Sequence, residues 1–246
     1  PDLVTQPKVF CKFSFCGNPI NFLAQLPGFL PNNQIFYFFY FAFVGAFSPY
    51  WGLYLQSLHF SAWQIGVLMS LSLIVRIFSP SIWGWLADHT GKRIRVVQIA
   101  ALCGFLCFCG FLLGESFIWM FFVMLLLSFF WSASLPLMEA ITLSHLGDHT
   151  DKYGRIRSWG SVGFVLTVIG VGYLLENIAI AWLIWIVLGL KLGMVIFSYQ
   201  IPEKEMISQV TGHHSVKQIC LRPEVLAFLI ASLLMLFAHG AYYTFF

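Results

Sequence analysis

The sequence predicts an all-α integral membrane protein, built as a six-helix bundle followed by the start of a seventh helix. Three observations predict this fold class. Hydrophobic residues make up 59% of the chain, charged residues only 9%, and the mean hydropathy is +0.83, which lies outside the range of soluble domains. The apolar residues gather in stretches of about 20, the length that a helix needs to cross about 30 Å of hydrocarbon. Most basic residues lie outside these stretches or at their ends. The expected surrounding is therefore a lipid bilayer.

The apolar stretches divide the chain into four parts. Residues 1–33 hold five prolines and two lysines, and form either a loose cytoplasmic tail or a segment that is not native to the mature protein. Residues 34–200 form the six-helix bundle, residues 201–222 a cytoplasmic loop, and residues 223–246 the start of a truncated second bundle. The helices are predicted at 34–57, 62–87, 94–114, 117–143, 157–175, 179–200 and 223–246.

The basic residues predict the orientation in the membrane. Eleven of the 13 lysines and arginines fall in the tail, in the segments after the second, fourth and sixth spans, or at the start of the span that follows such a segment. The loops on the other side contain none, and two of them carry an acid, Glu115 and Glu176. Because basic loops remain in the cytoplasm, we expect a multi-pass protein of the cell's cytoplasmic (inner) membrane with a cytoplasmic N-terminus.

Several function classes receive no support from the composition. A net charge of +3 is too small to indicate a nucleic-acid partner. The six cysteines include no CxxC pair, so packing explains them better than metal or redox chemistry. The segment HLGDHTD, residues 145–151, is a poor match to any metal site. We expect no cofactor.

A cluster of charge lies between the second and third spans, in the stretch GWLADHTGKR. It holds Gly84, Asp88, Gly91, Lys92 and Arg93. This spacing resembles the loop 2–3 motif of the major facilitator superfamily, in which the cluster latches the two halves of the transporter together in one transport state. One position departs from the motif, since His89 stands where the family has arginine or lysine. The resemblance implies the six-helix N-terminal bundle of a facilitator-type transporter.

A narrower resemblance concerns the first, fourth and fifth spans. PLMEA, with Glu139, and YGRIR, with Arg157, are similar to the oligosaccharide:proton symporters, and more so to the 3-phenylpropionate permease type. In the symporters, the acid and the arginine, 18 residues apart, bind substrate. The first span matches the group's aromatic first helix, including the pattern Gly45, Pro49, Tyr50 and Trp51.

Two further residues bear on the substrate. Arg76 stands in the middle of the second span, and the 3-phenylpropionate type also carries an arginine inside that helix. An arginine at this depth must face a polar cavity or a partner, so we expect it either to attract an anionic substrate or to pair with Glu139. Phe164 occupies the position where the sugar symporter has a stacking tryptophan, which favours an aryl acid over a sugar. Lys191 and His239 also lie inside spans, without a role in the resemblance.

The sequence therefore predicts a secondary transporter of a small organic solute, with an aromatic or other organic acid favoured. Its substrate wall would comprise Arg76, Glu139, Arg157, Tyr50, Trp51 and Phe164. Alternating access, proton symport and a C-terminal six-helix half as partner are implied by the resemblance alone. A sugar:proton symporter remains the alternative, and a membrane-embedded enzyme or a non-transporting receptor stays open from other classes. Prolines late in the first and fourth spans (Pro49 and Pro136) are consistent with a three-plus-three repeat or with independent kinks.

Overall fold

A computed structural model describes residues 30–147, 149–203 and 222–245. Within these ranges it contains helices and no strand, as the composition predicts. The predicted tail up to residue 29 and most of the predicted loop, 204–221, lie outside the described residues.

Seven α-helices follow the predicted spans to within a few residues at each end. We number them α1 to α7 in chain order: Leu30–Ser57, Ala62–Thr90, Arg93–Cys109, Phe117–Leu146, Tyr153–Asn177, Leu183–Tyr199 and Pro223–Phe245. One 3₁₀ turn extends α3 to Leu112, and single turns precede α5 and α6. Helices α1 to α6 lie in one compact unit, and α7 lies in a second unit of its own.

Local sequence explains where the helices begin and end. Ser61 and Gln64 form a reciprocal capping box at the start of α2, and the Ser116 hydroxyl accepts from the Trp119 amide at the start of α4. Each satisfies backbone donors that have no partner inside the helix. At the other end of α2, Gly91 adopts a left-handed φ of 65° and its amide donates to the Ala87 carbonyl. Glycine takes this conformation at no steric cost, so the chain turns directly into α3.

The two prolines that suggested a repeat lie in equivalent helices. Helix α1 packs most extensively against α5 and α6, whereas α4 packs most extensively against α3 and α2. Contacts between α3 and α6 join the two groups of three. Pro49 lies inside α1 and Pro136 inside α4. The central helix of each group therefore contains a proline, but Pro80 lies inside the non-central helix α2, so the prolines do not decide between a repeat and independent kinks.

Close backbone approach explains the tight contact between α1 and α5. A Cβ atom added at Gly163 would collide with the backbone of Phe38, and one added at Gly45 would lie 2.8 Å from the Phe164 carbonyl oxygen. Glycine at an interface lets two helices approach closely. The aromatic core of the bundle then builds on α1, where Phe43, Phe47 and Trp51 are almost wholly buried.

The helices differ in how much of their surface the bundle covers. Five of the described helices, α2 to α6 with their adjoining turns, are long and apolar enough to cross a membrane. Within the apolar 18-residue stretch of each helix, 22% of α2 and 17% of α5 is buried inside the protein, against 39–44% of α3, α4 and α6. Large apolar side chains therefore remain open on α2 and α5, such as Ile77 (80% exposed) and Tyr173 (69%). The chain is a multi-pass membrane protein, and within its six-helix unit α2 and α5 have the least covered surfaces.

Candidate substrate-binding site

The carboxylate of Glu139 and the guanidinium of Arg157 form an ion pair. Arg157 Nε donates to Glu139 Oε1 at 3.1 Å, and both side chains are about one-third exposed. Glu139 stands in the second half of α4, and Arg157 in the second turn of α5. The short segment 147–152 joins these two helices, so it brings both residues to the same end of the bundle.

Aromatic rings of α1 support the arginine of this pair. The Arg157 guanidinium carbon lies 4.3 Å from the Phe41 ring centre and 5.7 Å from that of Tyr37. The Tyr37 hydroxyl lies 3.2 Å from the Thr142 hydroxyl, and Asn33 donates to the same oxygen at 3.3 Å. These bonds hold the first turns of α1 against the end of α4. Arg157 is therefore bound on one side by a carboxylate and on another by ring faces, which attract cations.

Arg76 lies at the midpoint of α2 and takes a different environment. Its guanidinium carbon is 5.2 Å from the centre of the Trp131 ring on α4, and its side chain is exposed. Among the described residues it makes no ion pair, because Glu139 pairs with Arg157. Of the two expectations for Arg76, the internal pair with Glu139 is not the arrangement found.

A hydrogen-bonded serine cluster holds α2 and α4 together next to Arg76. Ser79 Oγ and Trp83 Nε1 both donate to the Phe129 carbonyl, at 3.0 and 2.9 Å. Ser132 Oγ donates to Ser79 Oγ at 2.5 Å. Ser79 follows Arg76 by one helical turn and Ser132 follows Trp131 directly, so the cluster maintains the contact between the guanidinium and the indole.

Trp131 connects this arginine with the buried core. It is 7% exposed and its ring lies within 6.3 Å of the rings of Tyr40, Phe43 and Phe47. The amine of Lys191, on α6, lies 5.9 Å from the same indole centre and 4.0 Å from the Phe43 ring. One tryptophan is thus in contact range of two cations from different helices.

Lys191 is 1% exposed, and no ion pair reaches it in the described ranges. An ammonium ion over an aromatic ring face is stabilised by about 0.5–2 kcal/mol. An ion that leaves water loses several kcal/mol. The contacts with the rings alone therefore do not offset the cost of burying the charged form of Lys191.

Two residues predicted for the substrate wall, Trp51 and Tyr50, are committed to packing within the bundle, whereas a third, Phe164, keeps an exposed side chain. Trp51 is fully buried and stacks on Phe47 and Tyr54, so in this conformation it packs the core and is not available to a solute. Tyr50 donates its hydroxyl to the Val168 carbonyl at 2.7 Å, which commits it to the contact between α1 and α5. Phe164 is 37% exposed, and its backbone packs against Gly45.

The charged loop between α2 and α3 is closed by an ion pair of its own. Arg93 donates to Asp88 at 2.6 Å, across the turn that Gly91 makes. Lys92 is exposed, and space is open around Gly84 to at least 4 Å. His89 stacks on the exposed ring of Trp85, with 5.3 Å between centroids. The residues of the motif therefore form one exposed turn at the end of α2, one of the two least covered helices of the six-helix unit.

A family model described as the MFS_1 like family matches residues 31–246. The chain belongs to this family. The match covers the whole described bundle and agrees with the resemblance to the major facilitator superfamily that the motif and its position predicted.

Curated relatives of this MFS_1-like chain are transporters by name. The maltose permease of Geobacillus stearothermophilus is 36% identical over 148 residues, 60% of this chain and 38% of its own length. The "Probable 3-phenylpropionic acid transporter" of Escherichia coli (strain K12) is 27% identical over 213 residues, 85% of this chain and 56% of its own length. The chain thus spans about half the length of the curated relatives it matches, or less.

Solved structures share the fold of this MFS_1-like bundle. The crystal structure of the nucleoside transporter NupG superposes with a TM-score of 0.69 at 21% sequence identity. The superposition covers 86% of this chain and 53% of that one. At this identity the likeness establishes the all-α fold and its helix arrangement.

Sequence reasoning did not single out Trp131, Phe41 or Tyr37, although all three contact an arginine of the site. Each stands in a run crowded with aromatic residues, where no local pattern marks one ring above its neighbours. The useful signal was indirect, because an arginine inside a span requires a partner, and an aromatic face can serve as one.

Proposed function

We propose that this chain is the N-terminal half of a secondary transporter of a small organic anion, with an aryl carboxylate as the favoured substrate. The observation that supports it most is the Arg76 guanidinium at the middle of α2, which lies on Trp131 and has no carboxylate partner among the described residues. A charge at this depth is costly and must face a water-filled cavity or the protein interior. The exposed side of Arg76 would therefore face the solute cavity.

The charge balance of the site favours an anion. Arg76, Arg157 and Glu139 together carry one net positive charge, and the Glu139–Arg157 pair is already neutral. One substrate carboxylate would neutralise the remainder, held by charge-assisted hydrogen bonds from Arg76. The neighbouring ring of Trp131 would offer the aryl group an apolar contact.

The remainder of the transporter would be five further helices, which complete a second six-helix bundle that begins with α7. The weakly covered faces of α2 and α5 would face these further helices, and the turn that contains Asp88, Gly91 and Arg93 would latch onto them in one transport state. The protein would lie in the cytoplasmic membrane of the cell, with its basic segments on the cytoplasmic side. Transport would proceed by alternating access with proton symport.

A sugar substrate is the second candidate. The maltose permease relative, at 36% identity over 148 residues, supports it, and Glu139 could accept hydrogen bonds from sugar hydroxyls. The Glu139 carboxylate is, however, occupied by Arg157 in this conformation, and Arg76 would then lack a counter-charge.

The two candidates separate in a transport assay. The complete transporter is reconstituted in vesicles with an alkaline interior, and uptake of labelled 3-phenylpropionate and of labelled maltose is measured. We expect gradient-dependent uptake of the aryl acid and not of maltose. Arg76→Ala should lower aryl-acid uptake by about 10- to 100-fold, the worth of a hydrogen bond to a charged group.

The control for this experiment is Arg155→Ala, which removes an exposed arginine near the start of α5. It should transport as the wild type does. Uptake of maltose alone would establish the sugar candidate, and uptake of neither solute would contradict both.

A further inference from the structure

Lys191 is a buried basic residue to which the proposed substrate site assigns no role. It lies near the middle of α6 at 1% exposure. The facing groups are Phe43 from α1, Gly104 and Cys107 from α3, and Trp131 from α4. The described residues offer it neither a carboxylate nor any hydrogen-bond acceptor within bonding distance. Cys107 is the one titratable group in this set.

The chemistry of lysine matters at such a place. An arginine stays protonated in proteins, whereas a lysine amine can release its proton when burial penalises the charged form. The rings of Phe43 and Trp131 favour the ammonium, and the loss of water favours the neutral amine. These opposing effects leave both protonation states accessible to Lys191.

Arg76 gives this equilibrium a connection to the substrate. Its guanidinium and the Lys191 amine lie 5.2 and 5.9 Å from the centre of the same indole ring, that of Trp131. The two positive charges are therefore at most about 11 Å apart, and at such a separation they repel each other where the buried surroundings lower the dielectric constant and limit screening by salt. An anion bound to Arg76 would cancel much of that repulsion and make the ammonium form of Lys191 more stable.

We propose that Lys191 is a proton-binding site of the bundle, which takes up one proton when a carboxylate binds at Arg76 and releases it when the carboxylate leaves. The step is a simple protonation: the amine nitrogen gains one N–H bond to a proton from a hydronium ion of the solvent, the O–H bond of that ion breaks to leave water, and the amine becomes an ammonium ion. The inference rests on the proposed function and extends it, because it names a residue of this half as a carrier of the symported proton.

Thermodynamic linkage makes the proposal measurable. If carboxylate binding raises the proton affinity of Lys191, protonation must raise carboxylate affinity by the same factor. The affinity of the wild type for the anion should therefore fall as the pH rises, by at least about fivefold, the lower end of typical coupling between sites.

Calorimetric titration of the complete, purified transporter with 3-phenylpropionate tests this between pH 6 and 9, where the probe stays ionised. Titrations in buffers of different ionisation enthalpy measure the protons taken up on binding. We expect uptake by the wild type of up to about one proton per bound anion. In Lys191→Met, an apolar residue of similar length, proton uptake should disappear, and the affinity should stay at the wild type's high-pH value.

Lys191→Arg is the complementary variant, because a guanidinium holds its charge at every pH. It should bind the anion as the wild type does at low pH, again without proton uptake, so the two variants bracket the wild type from opposite sides. Lys152→Met, in the turn before α5, removes a lysine outside the site and should retain wild-type proton uptake.

Binding with undiminished proton uptake in both Lys191 variants would overturn the assignment to Lys191 and leave the substrate proposal intact. Absence of binding by the wild type at every pH would overturn the carboxylate substrate, and the coupled protonation with it.

Discussion

Arg157 and Lys191 are both basic residues of the same bundle, but they differ in exposure and in whether a carboxylate lies beside them. Arg157 stands near one end of α5, one-third exposed, paired with Glu139 and placed over two rings of α1. Lys191 stands mid-way along α6, 1% exposed, with ring faces as its nearest favourable contacts. Among the described residues, only Arg157 has a counter-ion, and this difference is the basis on which we propose that Lys191, and not Arg157, exchanges a proton.

The largest effect is expected from breaking the helix contact that supports Arg157. A side chain added at Gly163 would collide with the backbone of Phe38 on α1, which no rotamer change can relieve. Gly163→Val should therefore abolish accumulation of folded transporter, as measured by size-exclusion chromatography of a fluorescent fusion. Gly170→Val on the same helix, where no atom lies within 4 Å of the added Cβ, should express normally. Equal yields of both variants would contradict the packing described for α1 and α5.

The next largest effect concerns the counter-ion of Arg157. Arg157→Gln leaves the half-buried Glu139 carboxylate without its partner, and truncating one member of such a pair costs about 2 kcal/mol or more. We expect kcat/KM for uptake to fall by about 30-fold or more. The double variant Arg157→Gln with Glu139→Gln should recover stability relative to Arg157→Gln alone, because no unpaired charge remains. A thermal midpoint no higher in the double variant would show that the pair contributes little.

A smaller effect is expected when Arg157 is given the chemistry of Lys191. Arg157→Lys keeps the charge but loses the planar group that lies over Phe41 and the geometry that matches a carboxylate. The loss in kcat/KM should be about 10-fold, corresponding to about 1.4 kcal/mol. The same assay with Arg155→Lys supplies the control, since that side chain is exposed. Wild-type transport by Arg157→Lys would mean that charge alone suffices at this position.

The smallest effect probes the surroundings of Lys191. A Cβ added at Gly104 would lie 3.6 Å from the Lys191 amine, an ordinary contact, whereas one at Gly189 would meet nothing within 4 Å. Gly104→Ala should displace the pH midpoint of carboxylate binding slightly to lower pH, since the extra methyl group places apolar volume directly against the amine. Gly189→Ala should leave the midpoint unchanged. A midpoint unaffected by both substitutions would indicate that the binding equilibrium does not depend on this amine.

The sequence predicted the fold more completely than it predicted the residues of the site. The predicted spans agree with the helices because each depends on local composition: apolar length, capping residues such as Ser61, and the turn at Gly91. Glu139 and Arg157 were expected together through a family resemblance, and the pair is present in the structure. Trp51 and Tyr50 were expected on the substrate wall, yet one is buried and the other is bonded to α5. Their helix α1 presents aromatic residues in every direction, so the sequence does not indicate which ring faces the cavity.

By itself, the sequence determined the all-α membrane class, the approximate bounds of the helices and membership of a transporter family, since hydropathy, charge asymmetry and a spaced motif are all properties of local segments. Only the tertiary structure decided which groups meet. It placed Trp131 between Arg76 and Lys191, residues of three different helices, and it left the lysine without a carboxylate in the part of the chain that is described. The physical reason is that the cost of a charge in the membrane depends on its partners, and these come from helices distant along the chain.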